Sequence, residues 1–69
     1  MRLIKRPEVE SRTGLRKSSI YQKIETGEFP LPVKLSNKSV AWVEAEVEAW
    51  IAMKVAARDA KAAAKAVRP

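Results

Sequence analysis

The sequence predicts a mostly α-helical domain with a small β-hairpin, arranged as a winged helix-turn-helix. Three observations predict it. Two short helical patterns, each closed by a glycine, adjoin across a turn that contains Gly14. Alternating apolar residues flank the polar run Ser36-Asn37-Lys38-Ser39, the pattern of a two-stranded hairpin. Finally, 14 Lys and Arg stand against 8 Asp and Glu, a net charge of +6.

The first helix is expected from Pro7 to about Thr13. Proline has no N–H to lose and a fixed φ that suits a first helical turn, and Glu8 and Glu10 place negative charge at the end that favours it. Gly14 can take the left-handed conformation that stops a helix. The second helix is expected from about Lys17 to Thr26, with Ile20 and Ile24 four apart on one face and Gly27 as its stop. Leu15 would fill the wedge between the helices, between Val9 and Ile20. An ordinary helical hairpin would fit the same pattern.

Pro30 and Pro32 then hold the chain extended and exclude helix. Val33 and Leu35 alternate with Lys34, and Val40 and Trp42 alternate with Ala41. Asn37, in the turn between them, can take positive φ. An isolated hairpin is barely stable in water, so this one is expected to pack on the helices through Val33, Leu35, Val40 and Trp42. A third helix is expected from about Glu44, with Val43, Val47, Trp50 and Ile51 on one face. The expected core comprises Val9, Leu15, Ile20, Ile24, Phe29, Val33, Leu35, Trp42, Val47, Trp50 and Ile51. Residues 1–52 are read as the domain, and residues 53–69 as a basic, alanine-rich helical tail. In that tail Lys54, Arg58, Lys61, Lys65 and Arg68 fall within a sector of about 80°. They suit either phosphate contacts or a solvated face. The opposite, alanine-rich face suits a second copy of the chain.

The chain has 69 residues and contains neither cysteine nor histidine. That removes disulfides, the usual zinc ligands, the commonest general base and the thiol nucleophile. Glu44, Glu46 and Glu48 crowd the start of the third helix, where acids stabilise it. No catalysis, cofactor, metal or small-molecule substrate is expected. No apolar run approaches the roughly 20 residues that span a bilayer, and the N-terminus lacks the apolar stretch of a signal peptide. Lack of cysteine fits a reducing cytoplasm. A pI of about 10.1 points to a polyanionic partner, nucleic acid before an anionic membrane surface.

The start of the second helix sharpens that expectation. A helix N-terminus carries partial positive charge and prefers anions, yet Arg16 and Lys17 stand there. Selection for folding alone offers no reason for this; a partner bringing negative charge does. In a helix-turn-helix the first turn of the second helix meets base edges and phosphates. Arg16 and Lys17 would lie beside phosphate, and Ser18 and Ser19 would donate to phosphate or cap free N–H groups. Gln22 and Lys23 would reach base edges or backbone, as Gln suits adenine and Lys guanine. The ring of Tyr21 fits the core and its hydroxyl fits phosphate. Lys34, Asn37 and Lys38 on the hairpin would act as a DNA-binding wing. The alternatives are a solvated basic corner, a soluble turn, or a module whose basic face meets an acidic protein. RNA fits less well, for want of an aromatic platform that stacks bases.

These residues resemble the AlpA family of small phage-type DNA-binding regulators. The likeness lies in "RLIKRPEVESRTGLRKSSIYQKIETGEFPLPVKLSNKSVAWVEAEVEAWI", roughly residues 2 to 52, with "TGL", "SSIY", "GEFP", "PVKL", "VAW" and "EVEAWI" in the family's order and spacing. The resemblance implies a winged helix-turn-helix of the excisionase and MerR-like kind. It also implies a transcription factor of prophages or integrative elements, acting on double-stranded DNA in the cytoplasm and associated with the nucleoid. Such proteins activate an integrase gene, repress phage genes, or serve as excisionases, so an integrase or a second copy on DNA are implied partners. The family commonly has serine where Arg16 stands, able to cap the second helix. Here that cap is lost, and Ser18 or water must serve instead.

Overall fold

The computed structural model describes residues 1–66, with side chains described through residue 63. In chain order its elements are β1 (Leu3–Ile4), α1 (Arg6–Thr13), α2 (Lys17–Glu25), β2 (Val33–Ser36), β3 (Ser39–Val43) and α3 (Glu44–Ala66). This is a winged helix-turn-helix: α1 and α2 form the motif, and β2 and β3 form the wing.

Local chemistry explains the helix ends. Lys5 occupies the N-cap position of α1 without a capping hydrogen bond, and Pro7 stands just inside the helix, one place later than expected because Arg6 takes the first helical position. Either place costs no hydrogen bond, since the first N–H groups of a helix have no partner within it. Gly14 has φ 73°, and its N–H donates to the Glu10 carbonyl at 2.8 Å, which closes α1 with a single left-handed cap. The end of α2 is a full Schellman motif. Gly27, at φ 78°, donates to Ile24 at 3.1 Å, and Glu28 donates to Lys23 at 2.7 Å. Nothing lies within 4 Å of where a Cβ would sit on Gly27. Gly27→Ala is therefore expected to cost about 1–2 kcal/mol through backbone strain alone. Urea unfolding measures this, with a D-alanine variant expected to match the parent.

The sheet has the order β1-β3-β2, all antiparallel, so β3 is the central strand. β1 was not expected from the sequence. Its two residues pair Leu3 with Val43 and Ile4 with Trp42, and the Glu44 N–H donates to the Arg2 carbonyl at 2.8 Å. Ile4 thereby joins the buried core with Val9, Ile20, Phe29, Trp42 and Val47. Leu15, Ile24, Val40, Trp50 and Ile51 pack partly buried against it. Ala41 is buried as well, as befits a strand with neighbours on both sides. Val43, expected on the third helix, ends β3 instead.

Two expectations for the hairpin fail. Val33 and Leu35 do not enter the core; they are 39% and 47% exposed. β2 is an edge strand, and pairing sets Lys34 opposite Val40 and Val33 opposite Ala41. Directly opposed residues share a face. The face that carries Val40 and Trp42 therefore receives Lys34 rather than Val33. The helices pack on β3, leaving all of β2 exposed. Asn37 does not take positive φ; among the described residues only Gly14 and Gly27 do. The pairing shifts register between Lys34 and Ser36. A bulge of this kind increases local twist, which a mirror-image turn would otherwise supply.

α3 runs unbroken from Glu44 to Ala66, so the expected boundary at residue 52 falls inside one helix. Its first two turns pack on the core through Val47, Trp50 and Ile51, and every side chain from Ala52 to Ala63 is exposed. The molecule is accordingly elongated, 56 × 24 × 19 Å.

Candidate nucleic-acid interface

The core side of α2 carries Ile20 and Ile24. At 100° per residue, the opposite side carries Ser18, Gln22 and Glu25, with Tyr21 on its flank; these four are exposed, as is Lys17 at the first helical position. Glu25 stands at the C-terminal end of that side, which confines an anion-attracting surface to the first turn and a half. Arg16 occupies the N-cap position in an extended conformation, φ −92° and ψ 165°, with no side-chain cap and no acid in the first turn. Neither Ser18 nor Ser19 caps α2, so its leading N–H groups lack side-chain partners. Ser19 is half-buried, at the margin between the core and the exposed side.

Tyr21 stands between the core and the exposed side. Its ring lies edge-on to Trp42, 6.3 Å between centroids, while the residue remains 38% exposed. Lys23 is half-buried, and its Nζ lies 3.8 Å from Glu28 Oε2. The Schellman turn folds the chain back over the end of α2 and brings that carboxylate to it. Gln22 is the exposed residue one turn into the helix that remains suited to a base edge. On the wing, Lys34, Asn37 and Lys38 are all exposed. The two-residue turn Asn37-Lys38 is steadied by the Lys38 N–H donating to Ser36 Oγ at 3.4 Å.

The ion pairs sort the charges. Arg12 Nη1 lies 2.9 Å from Glu44 and 2.8 Å from Glu48, and its Nε lies 3.0 Å from Glu8. Arg2 reaches Glu44 at 3.6 Å, and Arg6 pairs with Glu10 at 3.0 Å. The hydrogen bond that Arg12 donates to Glu8, with those it donates to Glu44 and Glu48, drives its guanidinium further above its already high pKa. The acids at the start of α3 thus clamp α1 to α3 through Arg12. Carboxylates are consumed at that end of the molecule. Among the described residues, Arg16, Lys17, Lys34 and Lys38 have no carboxylate within 4.0 Å. The cations on the helix start and the wing are left to solvent or to an anionic partner.

Three residues that position this surface were not expected to do so. The Trp42 indole N–H donates to the Pro30 carbonyl at 3.0 Å, and the Trp50 indole N–H to the Glu28 carbonyl at 2.6 Å. Phe29 packs edge-on against Trp50, 5.0 Å between centroids. Together they pin the segment that joins α2 to the wing. The signal for them was present: a buried tryptophan needs an acceptor, and the proline-rich segment has carbonyls that no helix or strand uses. Lys5 also donates from Nζ to Ser39 Oγ, adding a cation beside the turn of the wing.

Among the described residues no cluster of His, Cys, Asp and Glu suits a metal ion, and no helix is long and apolar enough to cross a membrane.

Comparison with known proteins identifies relatives of the chain. Residues 2–55 match the family model described as "Prophage CP4-57 regulatory protein (AlpA)". The chain is 47% identical over 57 residues to the protein named "Uncharacterized protein ORF88" of Enterobacteria phage P4. That alignment covers 83% of this chain and 65% of the phage protein, so the chain spans just under two thirds of that relative. It is also 30% identical over 60 residues to the DNA-binding transcriptional activator AlpA of Escherichia coli (strain K12), covering 78% of this chain and 86% of that protein.

Proposed function

Since this chain belongs to the AlpA family of prophage regulatory proteins, we propose that it binds duplex DNA and regulates transcription, with α2 in the major groove and the hairpin as a wing. The observation that carries this reading is the start of α2. Arg16 and Lys17 stand at an uncapped helix N-terminus with no acid in the first turn and, among the described residues, no ion pair. Folding gains nothing from that arrangement, while a phosphate placed there satisfies both the cations and the free N–H groups. Lys34 and Lys38 extend the same charge onto the wing. Ser18, Ser19 and Tyr21 supply hydroxyls for phosphate oxygens, Gln22 faces a base edge, and Asn37 supplies an amide at the wing tip. Lys23, held by Glu28, contributes charge to the backbone rather than reading a base. The protein works without cofactor or catalysis, in the cytoplasm and on the nucleoid.

Genome-wide binding in the native host tests the reading. Peaks at promoters of phage or mobile-element genes are expected. Peaks confined to attachment-site arms would instead identify an excisionase, acting with an integrase. Gln22→Ala is expected to relax preference at one base position by about 1–3 kcal/mol while leaving affinity for random duplex unchanged. Binding to a panel of single-base variants of the selected site measures this.

A further inference from the structure

We propose that the second half of α3 is an additional DNA contact, a basic ridge that follows the phosphate backbone of duplex flanking the site read by α2. The inference rests on the DNA-binding reading above and adds a surface to it.

The structure shows where the cations of the tail point relative to the domain. At 100° per residue, Lys54, Arg58 and Lys61 lie in the same sector of about 100° as Val47, Trp50 and Ile51. The face of α3 that packs on the core thus becomes cationic where the helix leaves the body. Lys54 Nζ sits 5.3 Å from the centroid of the Trp50 ring, at the junction of the two stretches. Lys54 and Arg58 line a shallow cleft of about 270 Å³ with Arg12 and Thr13 of α1. Thr13 Oγ1 in turn accepts from the Leu15 N–H, in the turn that leads to Arg16. The base of the ridge therefore faces the end of α1 across one cleft, three residues before Arg16. From Lys54 to Lys61 the helix rises roughly 10 Å at 1.5 Å per residue, about three base-pair steps of duplex. Lys65 and Arg68, which continue the spacing, have side chains outside the described residues.

Solubility does not account for this layout. A solvated alanine helix needs charge, but on any face. Here the opposite side carries Ala49, Ala52, Ala56, Ala60 and Ala63, and Asp59 is the single acid after Glu48. Like charges three and four apart repel along a helix. Nor does the helix dipole explain it, since that acts within the last turn and Lys54, Arg58 and Lys61 all precede the last turn. The Arg58–Asp59 pair, 2.7 Å, is exposed and adjacent in sequence, a kind that yields readily to a stronger anion. Arg12, engaged by three carboxylates, is not part of the ridge.

The test uses the full chain with Arg58→Gln and Lys61→Gln together, titrated with duplex over a salt series beside the parent. Each phosphate neutralised contributes about 0.9 to the slope of log affinity against log salt. The variant is expected to be flatter by roughly 1–2 units, so the parent loses roughly three- to twelvefold more affinity over a fourfold rise in salt. Base preference is expected to be unchanged, and the charge-keeping variant Arg58→Lys with Lys61→Arg to retain the parent's slope. Equal slopes and affinities for parent and Gln variant, or a loss in the charge-keeping variant as large as in the Gln variant, would overturn the ridge. In either case the parent still binds DNA and the reading of α2 stands. A parent that binds no duplex at low salt would overturn both.

Discussion

Trp42→Ala is expected to leave the domain largely unfolded at room temperature, or melting more than about 15 °C below the parent. Trp42 is fully buried on the central strand, pairs across to Ile4, and meets Tyr21 edge-on. Its indole also holds the Pro30 carbonyl. Truncating a buried tryptophan costs about 3–5 kcal/mol. At about 0.05–0.15 kcal/mol per residue, a 69-residue domain has roughly 3–10 kcal/mol in total. One substitution therefore removes much or all of it. Trp42→Phe keeps most of the apolar area and loses the donor, so it is expected to cost less, with about 1 kcal/mol from the hydrogen bond. Trp50→Ala is expected to fall below Trp42→Ala, because Trp50 is only partly buried. Urea unfolding followed by circular dichroism gives all three, and a Trp42→Ala protein melting within a few degrees of the parent would refute this account of the core.

Arg16→Ser is expected to stabilise the fold while weakening DNA binding. The N-cap of α2 has no side-chain acceptor, so serine would supply the first one. A good cap is worth about 1 kcal/mol, or roughly 4–8 °C of melting temperature in a domain this small. The same change removes one cation beside the proposed phosphate. The salt slope is expected to flatten by about 0.9, and by about 1.8 when Lys17→Ala is added. Over a fourfold rise in salt the double change amounts to roughly a twelvefold difference. Melting curves and salt titrations on the same preparations read both effects. Operator and random DNA bound by the double variant as tightly as by the parent would show that the start of α2 does not face DNA. Opposite signs in stability and affinity would show that Arg16 is kept for the ligand and against the fold.

What could be read from the sequence was what neighbouring residues decide among themselves. Gly14 and Gly27 end helices because only a residue without a Cβ takes φ near +75° cheaply. Pro7, Glu8 and Glu10 favour a helix start through the first turn alone. Ile20 and Ile24, and Val47, Trp50 and Ile51, announce their faces by spacing. Arg16 and Lys17 were conspicuous because they oppose a local dipole. The cations of the candidate interface were therefore legible one by one, but their surroundings were not. Lys23 looked as free as Lys17 until the Schellman turn brought Glu28 to it. Arg12 gave no sign that it would gather three carboxylates from two helices and leave the cations of the wing and of the start of α2 without a carboxylate among the described residues.

The sequence by itself determined the helices, their stops, the hairpin and the concentration of positive charge, since each depends on interactions within a few residues. Only the tertiary structure decided that Leu3 and Ile4 form a strand, because two residues have no periodicity and become a strand only when β3 offers its free edge. The tertiary structure also decided that Lys34, rather than Val33, shares the face of Trp42. Alternation defines two faces of a strand, but cross-strand register chooses which one the core receives. It likewise decided that α3 runs unbroken past the body, because only a continuous helix carries the line of its buried face on into Lys54, Arg58 and Lys61.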